Sequence, residues 1–309
     1  MRQNVALVVA CVFVLQVGLE VIRPRLRGRE AVPVRDADLL CEDNEPEQHG
    51  AISSDDQILR NDLVRLGTAL IEQGRAVDAK LLVQQLARNR CPLDLPQPKR
   101  PATNRAELFR TAKDSIVVVG GVYKCKKCTK WHASLASGFV IASSGAVVTN
   151  YHVVNNPITE AMVVMTADRR VFPVKAILAA SRGDDLAILQ VEAEGLTPLP
   201  VATSAAPVSA DVTVISHPVI HFYCCTSGIV SRYMKAGPAD QQFESLVITA
   251  DFARGSSGAP VLNGQGQVIA IVKSTDSVYS ESAQQQRNVQ MVFKMCIPVR
   301  SLHKLIGPS

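Results

Sequence analysis

Short apolar runs separated by polar turns dominate the chain from residue 106 onward. Many short runs at even spacing, without helical periodicity between them, predict antiparallel β-sheet in the form of barrels. The expected strands of a first barrel are Ile116–Val122, Ser137–Ile141, Ala146–Thr149, Ala161–Met165, Val171–Ile177 and Leu186–Val191. Those of a second are Val212–Ser216, Thr226–Ser231, Leu246–Thr249, a short one at Val261, Val268–Val272 and Val289–Pro298. Short helices are expected before and after them, at 106–112 and 300–306.

Before the predicted strands, apolar residues recur with the period of a helix rather than that of a strand. Ser53 to Asp56 reads as a capped helix start, and apolar residues then recur at helical spacing up to Leu70. Gly74 breaks this helix, and a second is expected from Ala76 to Asn89. Residues 53–91 resemble a single tetratricopeptide-like hairpin, which cannot bury its apolar face alone. It is expected to pack on the strand region, on a second copy or on a partner; a plain helical spacer is the alternative.

The N-terminus carries an apolar run from Val5 to Leu19, which predicts a signal peptide or membrane anchor over residues 1–22. Residues 23–52 are polar and acidic and predict a tether, while four prolines predict a stiff linker over 92–105. Arginines that follow the apolar run leave its orientation open. We expect export to a periplasmic or other extracytoplasmic face, with the segment retained as an anchor.

Composition excludes some classes of function. The chain has 309 residues, 47% of them hydrophobic, and a formal net charge of +5. No basic patch with interleaved aromatic residues appears, so no nucleic-acid partner is expected.

Candidate chemistry centres on Gly255–Pro260, which reads G-S-S-G-A-P. Two glycines around Ser257 predict a sharp turn that presents a hydroxyl, and such a nucleophile needs a base and an orienting carboxylate. His152 follows a predicted strand, and Asp185 precedes another. The order histidine, aspartate, serine is that of chymotrypsin-like double barrels.

Five blocks in this order resemble trypsin-fold serine proteases of the Deg/HtrA type: Ser137–Ile141, Thr149–Val154, Asp184–Leu189, Thr226–Ser231 and Gly255–Pro260. The resemblance implies an all-β catalytic domain over 106–309 made of two antiparallel six-stranded β-barrels, preceded by the small α-helical hairpin. Because the chain stops soon after the last predicted helix, the PDZ module common in that family is not expected. Deg/HtrA relatives are often homo-oligomers, which the residues themselves do not show.

The resemblance also implies roles. His152 would be the general base, Asp185 would orient it, and Ser257 would attack a peptide carbonyl. The backbone N–H groups of Gly255 and Ser257 would form the oxyanion hole. Asp184 is expected to be a solvated neighbour.

Two positions depart from the family pattern, and specificity is open. Ser256 stands where relatives carry Asn or Asp, so activation through an ion pair with a freed N-terminus is not expected. Ala259 replaces a glycine, and its methyl group would either be tolerated or constrain the turn and limit activity. Tentative substrate-binding residues are Asp251, Lys273 and Ser274. Asp251 would favour basic substrates, or would instead pair with Arg254 or a backbone amide.

Cysteines leave several alternatives. Cys125 and Cys128 are spaced as zinc ligands, and His217, His221, Cys224 and Cys225 form a second cluster. Cys125, Cys128, Cys224 and Cys225 would make a zinc site, disulfides or free thiols, and the sequence does not choose among these. Cys41 and Cys91 bracket the hairpin and could be bridged after export. Cys296 is expected in the core.

The sequence therefore predicts a serine endopeptidase that acts on protein or peptide substrates through a Ser-His-Asp triad and an acyl-enzyme, without a cofactor. The alternative is a catalytically silent trypsin-fold module that docks a protein partner.

Overall fold

The computed structural model describes residues 53–97, 104–236, 243–280 and 288–307. Two six-stranded antiparallel sheets each close into a barrel, which confirms the predicted fold class. The first barrel consists of β1 (Ile116–Lys124), β2 (Trp131–Ala142), β3 (Ala146–Thr149), β4 (Ala161–Met165), β5 (Val171–Ser181) and β6 (Leu186–Val191). The second consists of β7 (Asp211–Ser216), β8 (Cys224–Ala236), β9 (Phe243–Ile248), β10 (Pro260–Leu262), β11 (Val268–Tyr279) and β12 (Val289–Pro298).

In the described ranges, five α-helices accompany the barrels: α1 (Ser54–Glu72), α2 (Ala79–Gln84), α3 (Arg105–Ala112), α4 (Tyr151–Val154) and α5 (Val299–Ile306). Helix α1 begins where the sequence predicts, because the Ser53 side chain accepts a hydrogen bond from the Asp56 N–H. Helix α2 begins later than predicted and continues as a 3₁₀ turn over Gln85–Ala87. Asp78 has a non-helical ψ of 125° and forms an isolated β-bridge with Ala161, so the helix does not start at Ala76.

The helical hairpin packs on the outside of the first barrel, so the strand region is the partner that it covers. Strand β1 is buried on both faces: Val117 and Val119 lie in the interior cluster, whereas Val118 and Val122 pack against Leu63 of α1. This division follows the two-residue alternation of a strand. The hairpin is therefore part of the body of the protein.

A further cluster joins the two barrels and α5, and it brings together Phe139, Ile188, Ile215, Ile271 and Leu302 among others. Within the described ranges, no helix is both long and apolar enough to cross a membrane. The predicted signal or anchor segment and the tether lie outside the described residues.

Candidate active site

His152 and Asp185 lie side by side because the strands that carry them are paired. His152 is in α4, just after β3, and Asp185 directly precedes β6; β3 and β6 are antiparallel neighbours, with Thr149 opposite Ala187. The His152 Nδ1 atom is 2.9 Å from Asp185 Oδ2 and 3.1 Å from Oδ1. A carboxylate only accepts hydrogen bonds, so Nδ1 carries a proton, and Nε2 is the nitrogen that can act as a base when the ring is neutral.

The backbone fixes the aspartate as well as the histidine. Asp185 has φ of 58°, in the left-handed region that non-glycine residues seldom adopt. Its carbonyl accepts hydrogen bonds from the Tyr151 N–H at 3.1 Å and from Asn150 Nδ2 at 3.0 Å. Its Oδ1 accepts a third from the His152 N–H at 3.0 Å. These bonds hold the carboxylate in place whether or not the imidazole ring is charged.

Ser257 lies on a tight turn between β9 and β10 that only its two glycines can make. Gly255 and Gly258 have φ of 91° and 86°. A Cβ on Gly255 would lie 2.4 Å from the His217 carbonyl oxygen, and one on Gly258 would lie 2.3 Å from that of Ser137. Ala259 does not share this restriction: its φ is not positive, and its methyl group is fully buried in the second barrel's core. The methyl group that departs from the family pattern is thus accommodated.

Ser137, on β2 of the first barrel, fastens this turn of the second barrel. Its N–H donates to the Ser257 carbonyl at 2.9 Å, and its hydroxyl donates to the Gly255 carbonyl at 2.9 Å. The same hydroxyl accepts from the His217 N–H at 3.1 Å. The sequence analysis used Ser137 only as part of a strand motif. Its position between Ala136 and Gly138, where small residues interrupt an otherwise largely apolar strand, is the signal that could mark it.

The Ser257 hydroxyl donates to the Lys273 carbonyl at 3.4 Å. In the part of the chain that the structure describes, no hydrogen bond joins Ser257 to His152. Catalytic hydrogen bonds are often long or misaligned without substrate and tighten when it binds. Ser137 holds the backbone of Ser257, so a rotation about the Cα–Cβ bond of Ser257 would redirect the hydroxyl without moving the turn.

The predicted oxyanion donors are available. Among the described residues, neither the Gly255 N–H nor the Ser257 N–H donates a hydrogen bond within the protein. The adjacent amide behaves differently, because the Ser256 N–H is used within the turn and donates to the Ala253 carbonyl at 3.0 Å.

The tentative substrate-binding residues have distinct surroundings. The Asp251 side chain is 85% exposed, and its carboxylate lies 3.2 Å from Lys294 Nζ, a partner that the sequence analysis did not name. Lys273 Nζ lies 3.8 Å from the centre of the Phe243 ring. Burial lowers the pKa of Lys273, and the negative charges of Asp185 and Asp184 oppose that shift. Ser274 is exposed. Their role in substrate binding remains a prediction.

Two neighbours of the triad have structural contacts of their own. Ser256 is fully buried, and its hydroxyl lies 2.9 Å from that of Ser216, so a hydroxyl pair occupies the position of the family's Asn or Asp. The prediction that Asp184 is only a solvated neighbour of Asp185 is wrong. Its carboxylate accepts a hydrogen bond from the Ser301 hydroxyl of α5 at 2.9 Å and thereby ties the loop before Asp185 to the C-terminal helix.

The cysteines correct several expectations. Cys91 is a buried thiol in the core, so the predicted bridge to Cys41 is not formed; Cys41 itself lies outside the described residues. Cys224 and Cys225 are thiols and do not join Cys125 and Cys128, so a four-thiol zinc site is not formed.

The side chain of His132 lies beside Cys125 and Cys128, and the sequence analysis did not name it as a possible metal ligand. The ligand atoms of these two residues and His132 lie within 4.8 Å of one another, and Cys128 Sγ is 2.9 Å from His132 Nε2. Among the described residues, these three side chains, and not the predicted four cysteines, form the group that could supply metal ligands. Cys296 is a fully buried core residue, as expected, and burial raises the pKa of its thiol.

Comparison with known proteins gives matches in the barrel region. The model of the family described as "Trypsin-like peptidase domain" matches residues 136–271. A probable periplasmic serine endoprotease DegP-like of Ectopseudomonas mendocina is 34% identical over 139 residues, which cover 45% of this chain and 29% of the relative. A putative serine protease HhoA of Synechocystis is 33% identical and is covered over 36% of its length.

The mitochondrial serine protease HTRA2 of Drosophila pseudoobscura pseudoobscura is 31% identical over 144 residues. These residues cover 45% of this chain and 34% of that relative. The matches to these curated relatives thus span about a third of their lengths. The crystal structure of the serine endoprotease from Yersinia pestis aligns with a TM-score of 0.49 and 22% identity, over 66% of this chain and 67% of that chain.

Proposed function

We propose that this chain is a serine endopeptidase that cleaves protein substrates through Ser257, His152 and Asp185. The match of residues 136–271 to the trypsin-like peptidase domain model and the similarity to DegP-like and HTRA2 relatives support the proposal. The observation that carries the proposal is that Asp185 holds His152 at two points, the imidazole ring and the backbone. Asp185 binds Nδ1 at 2.9 Å and the backbone N–H of the same histidine at 3.0 Å, which leaves Nε2 as a base. The serine turn is fastened beside it by Ser137.

In the proposed reaction, Ser257 Oγ attacks the peptide carbonyl carbon while its proton passes to His152 Nε2. The developing oxyanion accepts hydrogen bonds from the N–H groups of Gly255 and Ser257. Each such donor contributes roughly 2.7–4 kcal/mol to transition-state stability. His152 then gives its proton to the amine as the C–N bond breaks, which leaves an acyl-enzyme. Water attacks the ester with the same base, and Ser257 recovers its proton as the acid product leaves.

The names of the relatives bear on the cellular location in which this protein acts. Several relatives are named periplasmic, so we propose that this protein also acts after export, with protein or peptide segments as substrates. Retention by the N-terminal segment and assembly into a homo-oligomer remain predictions of the sequence.

The test uses the full chain and a fluorescently labelled denatured casein as substrate. Wild type is expected to release labelled peptides, while Ser257→Ala releases none and His152→Ala at most a trace. Far-ultraviolet circular dichroism should be the same for all three. Hydrolysis that persists in Ser257→Ala would overturn the assignment of the nucleophile. No hydrolysis by any of the three would favour the silent binding module.

A further inference from the structure

The segment from His217 to Tyr223, between β7 and β8, holds an unusual backbone beside the oxyanion turn. Val219, Ile220 and Tyr223 have φ of 48°, 67° and 57°. Positive φ is strongly unfavourable for β-branched residues such as the first two. Strain of this kind persists only where surrounding contacts over-determine the conformation. The contacts that hold segment 217–223 therefore also fix the position of the groups that it contacts.

On one side, the segment sets the direction of an oxyanion donor. The Val219 N–H donates to the Arg254 carbonyl at 2.7 Å. That carbonyl and the Gly255 N–H belong to the same planar trans peptide, so they point in opposite directions. Fixing the Arg254 oxygen toward Val219 consequently fixes the Gly255 N–H away from it. The segment also lies directly against Gly255, since a Cβ there would meet the His217 oxygen at 2.4 Å.

On the other side, the segment is held by the first helix of the hairpin. Asp56 Oδ1 accepts a hydrogen bond from the Phe222 N–H at 3.0 Å, and Oδ2 lies 3.3 Å from His221 Nδ1. Burial alone would raise the pKa of Asp56, but the hydrogen bonds from Phe222, Ser53 and His221 outweigh it and hold this pKa below its usual value. The Asp56 side chain is only 14% exposed. It thus joins the segment as a partly buried carboxylate.

We infer that Asp56 is a positioning residue for the oxyanion hole: α1 holds the strained segment 217–223 through this carboxylate, and the segment holds the Arg254–Gly255 peptide. The helical hairpin then has a role in catalysis although it contributes no group to the triad. This inference rests on the proposed function for its kinetic consequence, whereas the physical coupling between Asp56 and the turn does not depend on activity.

The test compares Asp56→Ala with Asp62→Ala. Asp62 is a matched control because it lies on the same helix, is similarly buried and bridges to the body through Arg169 at 3.1 Å without contacting the segment. Amide hydrogen exchange is measured in a Ser257→Ala background. Asp56→Ala is expected to speed exchange in peptides that cover 217–223 and 253–257, and Asp62→Ala to leave both unchanged. Asp56→Asn, which keeps an acceptor for the Phe222 N–H, should lie between them.

A kinetic arm uses active protein and a fluorophosphonate probe, whose phosphoryl oxygen occupies the oxyanion site. Asp56→Ala should label about tenfold more slowly than Asp62→Ala, short of the roughly 10²–10³-fold cost of deleting an oxyanion donor. Faster exchange in 217–223 without any change in 253–257 would overturn the inference, as would equal labelling rates in two well-folded variants. If wild type does not label at all, the proposed function fails, and the exchange arm alone decides the coupling.

Discussion

The Ser137 hydroxyl donates to the Gly255 carbonyl at 2.9 Å and so connects the first barrel to the turn that bears the nucleophile in the second. The proposed nucleophile Ser257 and its proposed base His152 belong to separate barrels, so they can act together only if the barrels keep a fixed relative position. Ser137 is fully buried, and its hydroxyl has a second partner in the His217 N–H. It therefore holds two backbone groups at once.

Replacement of Ser137 by Ala should lower kcat/KM by about 10- to 100-fold, since it leaves the part-buried Gly255 carbonyl and the buried His217 N–H without this partner, and a buried group left unpaired costs about 1–3 kcal/mol. The reduction should appear mainly in kcat, measured with a peptide substrate. Ser134→Ala on the same strand is the control, because its hydroxyl bonds to Gly121 within the first barrel. Equal losses in the two variants would argue against a specific role for Ser137.

Asp185→Asn should retain the fold and lose activity by about 10⁴-fold, as is typical when the orienting carboxylate of such a triad becomes an amide and the imidazole adopts the wrong tautomer. The measurement is kcat against pH. A variant with more than a tenth of wild-type kcat would show that Asp185 does not orient His152.

Leu63→Ala should destabilise the whole body of the protein by about 2–5 kcal/mol, because it removes a fully buried side chain between α1 and β1. Chemical denaturation followed by circular dichroism measures this effect. Leu81 on α2 is 53% exposed, so Leu81→Ala is the matched control and should cost little. A negligible effect of Leu63→Ala would mean that the hairpin is only loosely attached.

His217 gives stability a predictable pH dependence. Burial lowers its pKa from 6.5 to about 4, while the Val117 backbone and the charge of Asp56 oppose the shift. Between these values the unfolded chain binds the extra proton and the folded protein does not, so stability falls as pH decreases from about 6.5 to about 4, by up to about 1.4 kcal/mol per pH unit. His217→Asn keeps an acceptor for the Tyr223 N–H but does not titrate. The free energy of unfolding of this variant should vary less steeply with pH, and an unchanged slope would contradict the assignment.

The strands and the contact between His152 and Asp185 could be predicted because they depend on local pattern. Alternation and turn residues locate strands such as β4 and β6, and a strand pair such as β3 and β6 then brings His152 to Asp185. The start of α1 at Ser53 likewise follows from a local capping signal.

Long-range contacts could not be predicted in this way. The bond of Asp184 to Ser301 and that of Asp56 to Phe222 join residues far apart in sequence, and neither residue has a local pattern that names its partner. The same holds for Cys91. The sequence suggested a bridge to Cys41, and no local pattern indicated that Cys91 is buried in the inter-barrel core.

The central claim is that Ser257 is an activated nucleophile, and the most direct test is covalent labelling with a fluorophosphonate probe. Full-length wild type, Ser257→Ala and His152→Ala are incubated with the probe, and the modified peptide is identified by mass spectrometry. The account predicts labelling of wild type at Ser257 only, none in Ser257→Ala and strongly reduced labelling in His152→Ala. Wild-type protein that is folded and remains unlabelled, or that labels at another serine, would contradict it.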